Sequence, residues 1–284
     1  MLVTLKEVLV DARKNQYAVP AFDCVEDVMV RAILETCQAL RSPVILMCLV
    51  GPDIAGNGWA YVSGLIKAVA DYHNVPVVLH LDHCSEMELI QRGVEENFSS
   101  VMIDGSRLPF EENVKLTKKV VELAHPKGIS VEAELGFVGG MDLQATERAD
   151  SILTQPQEVK DFIEQTDVDA LAVSIGTSHG MYQSLPTLNI ERLKKINAVS
   201  SVPLVLHGGS GTPGDQIQEA VRKGICKLNI YADCRMAMIR GLQRSAASQN
   251  RADPLSQQIF GPIKDELCKM VEQKIKLLFS QNRC

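Results

Sequence analysis

Short apolar runs alternate with amphipathic stretches along the whole chain. The runs cover residues 18–22, 43–48, 76–81, 100–103, 130–135, 170–175, 203–206 and 225–230. Each is rich in β-branched residues and too short for a stable helix, which predicts eight strands. After the first run, Val25, Val28, Met29, Ala32, Ile33, Thr36, Cys37 and Leu40 recur at helical spacing and mark one buried face. Further helical stretches follow Gly58, Glu86, Glu111, Pro156, Leu188 and Pro213. Thr212-Pro213 reads as a helix start, with Thr212 as N-cap, Pro213 at the first helical position and Asp215 in the first turn. The tail from about Pro262 carries Ile263, Leu267, Val271, Ile275 and Leu278 at helical spacing. It predicts a packed helix within a C-terminal helical extension from about residue 250.

Eight strands alternating with helices leave two architectures, a closed (β/α)8 barrel or an open doubly wound sheet. Polar residues decide between them. They cluster where the apolar runs end, at Asp82-His83, Asp104, Glu134, 176–180, 207–211 and Asn229. Barrel active sites are built at the C-terminal ends of many strands, whereas an open sheet gathers its site at one crevice. A single barrel domain over residues 1–284 is therefore expected, a length close to the roughly 250 residues of a typical barrel.

Composition narrows the setting. The chain is 46% hydrophobic and 23% charged, an ordinary globular balance that argues against disorder. Its net charge of -6 argues against a general nucleic-acid or anionic-membrane surface. No apolar run approaches the roughly 18 residues of a membrane span. Residues 1–7 hold no basic segment leading into an apolar core, so no secretion signal is expected. Eight cysteines occur without Cys-x-x-Cys spacing, which reads as reduced thiols in the cytoplasm.

Three of the six histidines follow strand-like runs, within His80-Leu81-Asp82-His83, Gly176-Thr177-Ser178-His179-Gly180 and His207-Gly208-Gly209-Ser210-Gly211. In a barrel these strand ends converge on one mouth. Three neutral imidazoles there make a zinc site with an open fourth position. Each alone reads as an ordinary hydrogen-bonded loop residue; three together, flanked by glycine or carboxylate, favour the metal. His80, inside its run, reads as a core group or one that orients a ligand. His73 and His125 lie in helical segments and read as bystanders. Strand alternation puts Glu132 and Glu134 on one face, and Glu132 reads as part of a polar layer inside the barrel.

Asp82-His83, Met102-Ile103-Asp104, Val131-Glu132-Ala133-Glu134-Leu135-Gly136 with Gly139-Gly140, and the 176–180 and 207–211 segments fall in order, followed by Lys227-Leu228-Asn229-Ile230. Together they resemble the class II, zinc-dependent ketose-bisphosphate aldolases, closest to the tagatose- and fructose-bisphosphate branch. The resemblance runs from about residue 4 to the C-terminus. It implies cleavage of a ketose between C3 and C4. The implied zinc ligands are His83, His179 and His207, and the dication stabilises the enediolate of the donor half as a Lewis acid. It implies that Asp82 exchanges the proton of the C4 hydroxyl, and that Asp104 and Glu134 serve near the metal, for a second divalent or a monovalent ion. A mobile loop follows Gly139-Gly140 in the family and carries a glutamate that handles the donor proton. Asp142 stands there in this chain, with Glu147 as an alternative. The implied donor-phosphate cradle is Gly180, Gly208, Gly209, Ser210, Asn229 and the position of Ala232. The resemblance also implies a sugar-phosphate substrate and a homodimer or homotetramer.

Three positions depart from the family pattern. The usual Asn-x-x-Thr reads Asn229-Ile230-Tyr231-Ala232, a lysine carried by some members is Gln183, and an asparagine near the first strand is Asp23. These changes leave the lyase chemistry intact and open the question of substrate. One alternative keeps the chemistry on a ketose lacking one phosphate or with another acceptor end. A metal-dependent hydrolase is disfavoured because residues 20–23 hold no His-x-His pair. A non-catalytic partner subunit is disfavoured because the three histidines and Asp82 are present.

Overall fold

Each expected apolar run forms a strand in a computed structural model of the chain, which describes residues 1–50, 58–140, 150–180 and 185–284. The strands are β1 (Val19–Asp23), β2 (Val44–Leu49), β3 (Val77–Cys84), β4 (Ser100–Ile103), β5 (Ser130–Leu135), β6 (Ala170–Val173), β7 (Leu204–Leu206) and β8 (Ile225–Ile230). They pair in parallel and in sequence order, and β8 closes on β1. The result is the (β/α)8 barrel that the alternation predicted. Period two sorts the side chains. Val19, Ala21, Ile45, Met47, Val78, Ala170, Ala172 and Val205 form the apolar cluster inside the barrel. Phe22, Leu46, Leu79, Val101, Val131, Leu171, Leu206 and Leu228 belong to the larger cluster beneath the helices.

The connecting helices are α2 (Asp27–Leu40), α3 (Gly58–Val69), α4 (Met87–Glu95), α5 (Phe110–Ala124), α6 (Pro156–Thr166), α7 (Ile190–Val199) and α8 (Gly214–Arg222). The start of α8 differs from expectation. Pro213 itself occupies the N-cap position, and the Thr212 hydroxyl donates to the carbonyl of Gly208 at 3.2 Å. The loop carbonyl one turn back outcompetes the helix N–H groups for that hydroxyl.

Helix α1 (Leu5–Asn15), ahead of the first strand, was not expected from the sequence. Its signal was local: Thr4 and Glu7 form a reciprocal capping box. Leu5, Val8, Leu9 and Ala12 join the apolar cluster inside the barrel, so α1 plugs the end where the strands begin. The opposite end is left for polar residues.

After β8, α9 (Ala232–Ser248) supplies the eighth helix of the barrel, and α10 (Ser256–Leu277), with Pro262 inside it, follows where a C-terminal helical extension was expected. Proline has no N–H, so the carbonyl four residues back loses its helical partner. That carbonyl, of Gln258, instead accepts from the Ser245 hydroxyl at 3.3 Å and from Gln249 Nε2 at 3.2 Å. Both donors lie on the α9 side, so the proline is accommodated by helix pairing. No helix among the described residues is long and apolar enough to cross a membrane. None of the eight cysteines pairs, and six are buried.

Gly241 of α9 sits against α10 so closely that a Cβ would overlap the backbone of Ile263 and the carbonyl of Pro262. Gly241→Ala gains about 1 kcal/mol of helix propensity but sits at the upper end of the roughly 1–3 kcal/mol that overpacking costs. The expected net loss is about 2 kcal/mol, read as a lower urea midpoint; an unchanged midpoint counts against this packing.

Candidate active site

At the end of the barrel where the strands finish, the interior turns from apolar to charged. Asp23, His80, Asp82, Glu132, Glu134, Lys227 and Asn229 all point inward and are buried. His83 joins them through a break in regular geometry. Plain alternation would put Asp82 and His83 on opposite faces of β3. The β3–β4 register shifts between Leu81 and Cys84, and His83 takes a φ of +45°. Such a left-handed residue costs about 1–3 kcal/mol. It brings His83 Nε2 within 4.0 Å of the Asp82 carboxylate, at the same mouth.

Three imidazoles meet there. The His83 ring centroid lies 4.6 Å from that of His207 and 4.9 Å from that of His179, with 6.0 Å between the last two. His83 Nε2 and His207 Nδ1 are 2.8 Å apart. The remaining nitrogen of each faces a carboxylate. His83 Nδ1 donates to Asp104 Oδ2 at 3.0 Å, and His207 Nε2 donates to Glu132 Oε1 at 2.9 Å. Both carboxylates fix the tautomers so that the ligating lone pairs point at one another. Burial, then the neighbouring His83 charge, holds His207 well below the ordinary histidine range. Burial opposes charge on His83 too, but Asp82, Asp104 and Glu134 outweigh it and raise His83 well above that range.

Behind His207 lies a residue that the sequence analysis did not single out. Lys227, fully buried, pairs with both oxygens of Glu132 at 2.8 and 3.1 Å. His80 Nε2 stands 3.9 Å from the same carboxylate, and its Nδ1 meets the Ser100 hydroxyl at 2.8 Å. Burial, then Lys227, keeps His80 well below the usual range and hence neutral. Glu132 is thus the polar layer expected of it, with the added duty of orienting His207. The signal for Lys227 was available: it lies two residues before Asn229 on an otherwise apolar strand, so it must face inward.

Asp104 and Glu134 flank the histidines. Ser106 donates to Asp104 Oδ1 from its N–H at 3.1 Å and its hydroxyl at 2.6 Å. Burial raises the Asp104 carboxyl, but His83 and Ser106 prevail and hold it well below the usual carboxylate range. Glu134 Oε1 accepts from the Val138 N–H at 2.9 Å, while Oε2 lies 3.6 Å from His207 Nδ1 without a hydrogen-bond partner among the described residues. Burial, then Asp104, pushes its carboxyl up to about 8. Among the described residues, two sets of side chains can therefore hold a cation: His83, His179 and His207, or His83, Asp104 and Glu134.

The loops fix the third histidine. The His179 N–H donates to the Gly139 carbonyl at 2.7 Å. Gly140 and Gly208, both at positive φ, press against the backbone of residues 178–179, where any Cβ would collide. Gly180 follows at φ +81°. Gly209 departs from its expected part in an anion cradle, because its N–H donates to the Asn229 carbonyl at 3.2 Å. The Ser210 hydroxyl accepts from the Asp233 N–H at 3.2 Å, which seats it at the N-terminus of α9, whose first residue is Ala232. Asn229, implied for the donor-phosphate cradle, donates from its amide nitrogen to Asp82 Oδ1 at 3.1 Å and leaves its acceptor Oδ1 buried without a hydrogen-bond partner among the described residues. Asp142, Glu147 and Gln183 lie outside the described residues. His125 stays outside the site, bonded to Asp169 at 2.9 Å.

The chain is similar to known proteins over nearly its whole length. The model of the family described as fructose-bisphosphate aldolase class-II matches residues 3–283. The chain is 38% identical over 304 residues to a protein named fructose-bisphosphate aldolase from Giardia intestinalis (strain ATCC 50803 / WB clone C6), covering 97% of this chain and 92% of that one. Among solved structures, the YdjI aldolase from Escherichia coli K12 superposes with a TM-score of 0.88 at 31% identity, over 100% of this chain and 99% of that one. A putative fructose-1,6-biphosphate aldolase from Coccidioides immitis gives 0.86 at 26% identity, over 98% and 97%. A metal-dependent hydrolase and a non-catalytic subunit are thereby set aside. The chain belongs to the class-II fructose-bisphosphate aldolase family, whose members are metal-dependent carbon–carbon lyases.

Proposed function

We propose that this aldolase holds a zinc ion on His83, His179 and His207 and splits the C3–C4 bond of a ketose phosphate into dihydroxyacetone phosphate and an aldehyde. The observation that carries the reading is the facing pair of imidazole nitrogens, 2.8 Å apart, each backed by a carboxylate on its far side. Two lone pairs so placed repel unless a proton or a cation lies between them. An all-nitrogen set without thiolate suits zinc and leaves a fourth position for substrate. Glu134, with its unpartnered oxygen beside His207, and Asp104 offer the alternative position for a second or displaced ion.

When bound, the metal supplies Lewis-acid polarisation of the donor carbonyl. The chain's own groups do the rest. Asp82 takes the proton of the C4 hydroxyl; the C3–C4 electron pair passes to the donor half, and the aldehyde departs. In condensation Asp82 returns the proton. Asn229 anchors one Asp82 oxygen and leaves the other directed toward His83. Asp142 is assigned the donor-half proton on family resemblance. The donor phosphate is assigned to Gly180, Gly208 and Ser210 and the α9 N-terminus at Ala232, where helix polarity favours an anion. The eight unpaired thiols support a cytoplasmic setting, and a homodimer or homotetramer is assigned by family.

His207→Ala should lose zinc during chelator dialysis, since two ligands rarely retain it. Lys227→Met removes the cation that holds Glu132 and should weaken zinc about 10–100-fold, the usual effect of disturbing a ligand's partner. Zinc content and competition with a chelating dye read both; undiminished affinity in His207→Ala overturns the ligand set.

Asp82→Asn should keep the fold and the metal and lose about 10²–10⁴-fold in cleavage, the typical worth of a general acid/base. Coupled assay of aldehyde release checks it, and near-normal turnover would move the proton transfer to another group.

A further inference from the structure

Asp23 ends β1 on the interior face, continuing the line of Val19 and Ala21 out of the apolar cluster and into the mouth. It is 4% exposed, and its Oδ1 has no hydrogen-bond partner among the described residues. On the adjacent strand, Asn229 pairs in register with Ala21, one interior position below Asp23. The amide nitrogen of Asn229 is committed to Asp82, and its Oδ1 is likewise buried and unpartnered. Two buried oxygens therefore lack partners on this side of the site, and a hydroxyl, which both donates and accepts, can serve each of them. Burial and then the Asp82 charge raise the Asp23 carboxyl well above the usual range, so it lies within electrostatic reach of the proposed proton-transfer group. The charges of His83, Lys227 and Arg235 act in the opposite direction and do not overcome this, Lys227 being held by both oxygens of Glu132.

A buried acceptor without a donor is unfavourable, and a ligand that brings donors relieves it. Hydroxyl groups do so. A phosphate dianion brings acceptors and negative charge, beside two carboxyl groups, and does the reverse. We propose that Asp23 and Asn229 form a hydroxyl subsite for the acceptor half of the substrate, so that the enzyme selects an uncharged hydroxyaldehyde over a phosphorylated one. This rests on the aldolase reading above, in which Asp82 serves the C4 oxygen and the carbons beyond C4 lie on the same side. The ketose cleaved would then carry one phosphate, on its donor end, and hydroxyls beyond C4.

The test is condensation of dihydroxyacetone phosphate with glyceraldehyde and, separately, with glyceraldehyde 3-phosphate. It uses the zinc-loaded wild type, Asp23→Asn and Asp23→Ala. The wild type should show the higher kcat/KM with glyceraldehyde, a comparison that needs no variant. Asp23→Asn keeps the shape, removes the carboxyl and adds a donor. It should shift the ratio of kcat/KM values toward the phosphorylated aldehyde by about tenfold or more. Asp23→Ala should raise KM for glyceraldehyde, and asparagine should restore part of that loss. A wild type that prefers glyceraldehyde 3-phosphate, or a ratio unmoved in Asp23→Asn, overturns the subsite. Proton exchange between dihydroxyacetone phosphate and solvent, measured in the wild type without acceptor, separates the two levels. If exchange occurs and the ratio is unmoved, only the Asp23 assignment falls; if the wild type exchanges no proton, the proposed lyase site falls with it.

Discussion

A carboxylate enclosed by eight apolar strands must be paired, and Glu132 is paired with Lys227. Removing one partner of a buried pair typically costs about 3–5 kcal/mol because the other charge is left in a low dielectric. The pair therefore constrains everything above it. It fixes which nitrogen of His207 faces the mouth, it bears on the neutrality of His80, and it leaves no room for Lys227 to serve the substrate. The interior of the barrel is apolar from α1 up to this layer and charged beyond it. The layer is the floor of the site.

Above that floor the balance of charge is negative. Asp23, Asp82, Asp104 and Glu134 gather around three imidazoles. Like charges this close cannot all persist, and the carboxyl groups respond in different ways. Glu134 is pushed up to about 8, while Asp104, hydrogen-bonded by His83 and Ser106, stays ionised. A dication answers the same imbalance from the centre, and its binding displaces protons from the groups that hold them in its absence. The arrangement is thus suited to a cation for reasons that do not depend on any one ligand distance.

Among the described residues, the side-chain oxygens left without hydrogen-bond partners at Asp23 and Asn229 lie on the β1–β8 side, whereas the start of α9 presents N–H groups and the Ser210 hydroxyl. That asymmetry gives the mouth two chemically different ends. One suits an anion and the other suits hydroxyls. The proposed substrate, a ketose with a single terminal phosphate, matches both.

Much of this was legible in the sequence. Eight β-branched runs separated by helical periods leave a closed barrel or an open sheet, and polar residues at many run ends decide for the barrel and mark its mouth, because strand ends are where a packed interior opens to solvent. The Asp82-His83, 176–180 and 207–211 segments carried the candidate ligands, and Asp23 was legible as an aspartate where the family pattern has asparagine. Tertiary structure alone decided the rest. Alternation places Asp82 and His83 on opposite faces, and only the left-handed turn at His83, with the shifted β3–β4 register, brings them together. The carboxylates behind His83 and His207 come from β5 and the end of β4, far off in sequence, so no local spacing could pair them. Gly209 reads as an anion-binding glycine until the carbonyl of Asn229 is seen to take its N–H. Sequence periodicity fixes which face a side chain occupies; which partner it meets there depends on where the barrel closes and where its strands depart from regular geometry.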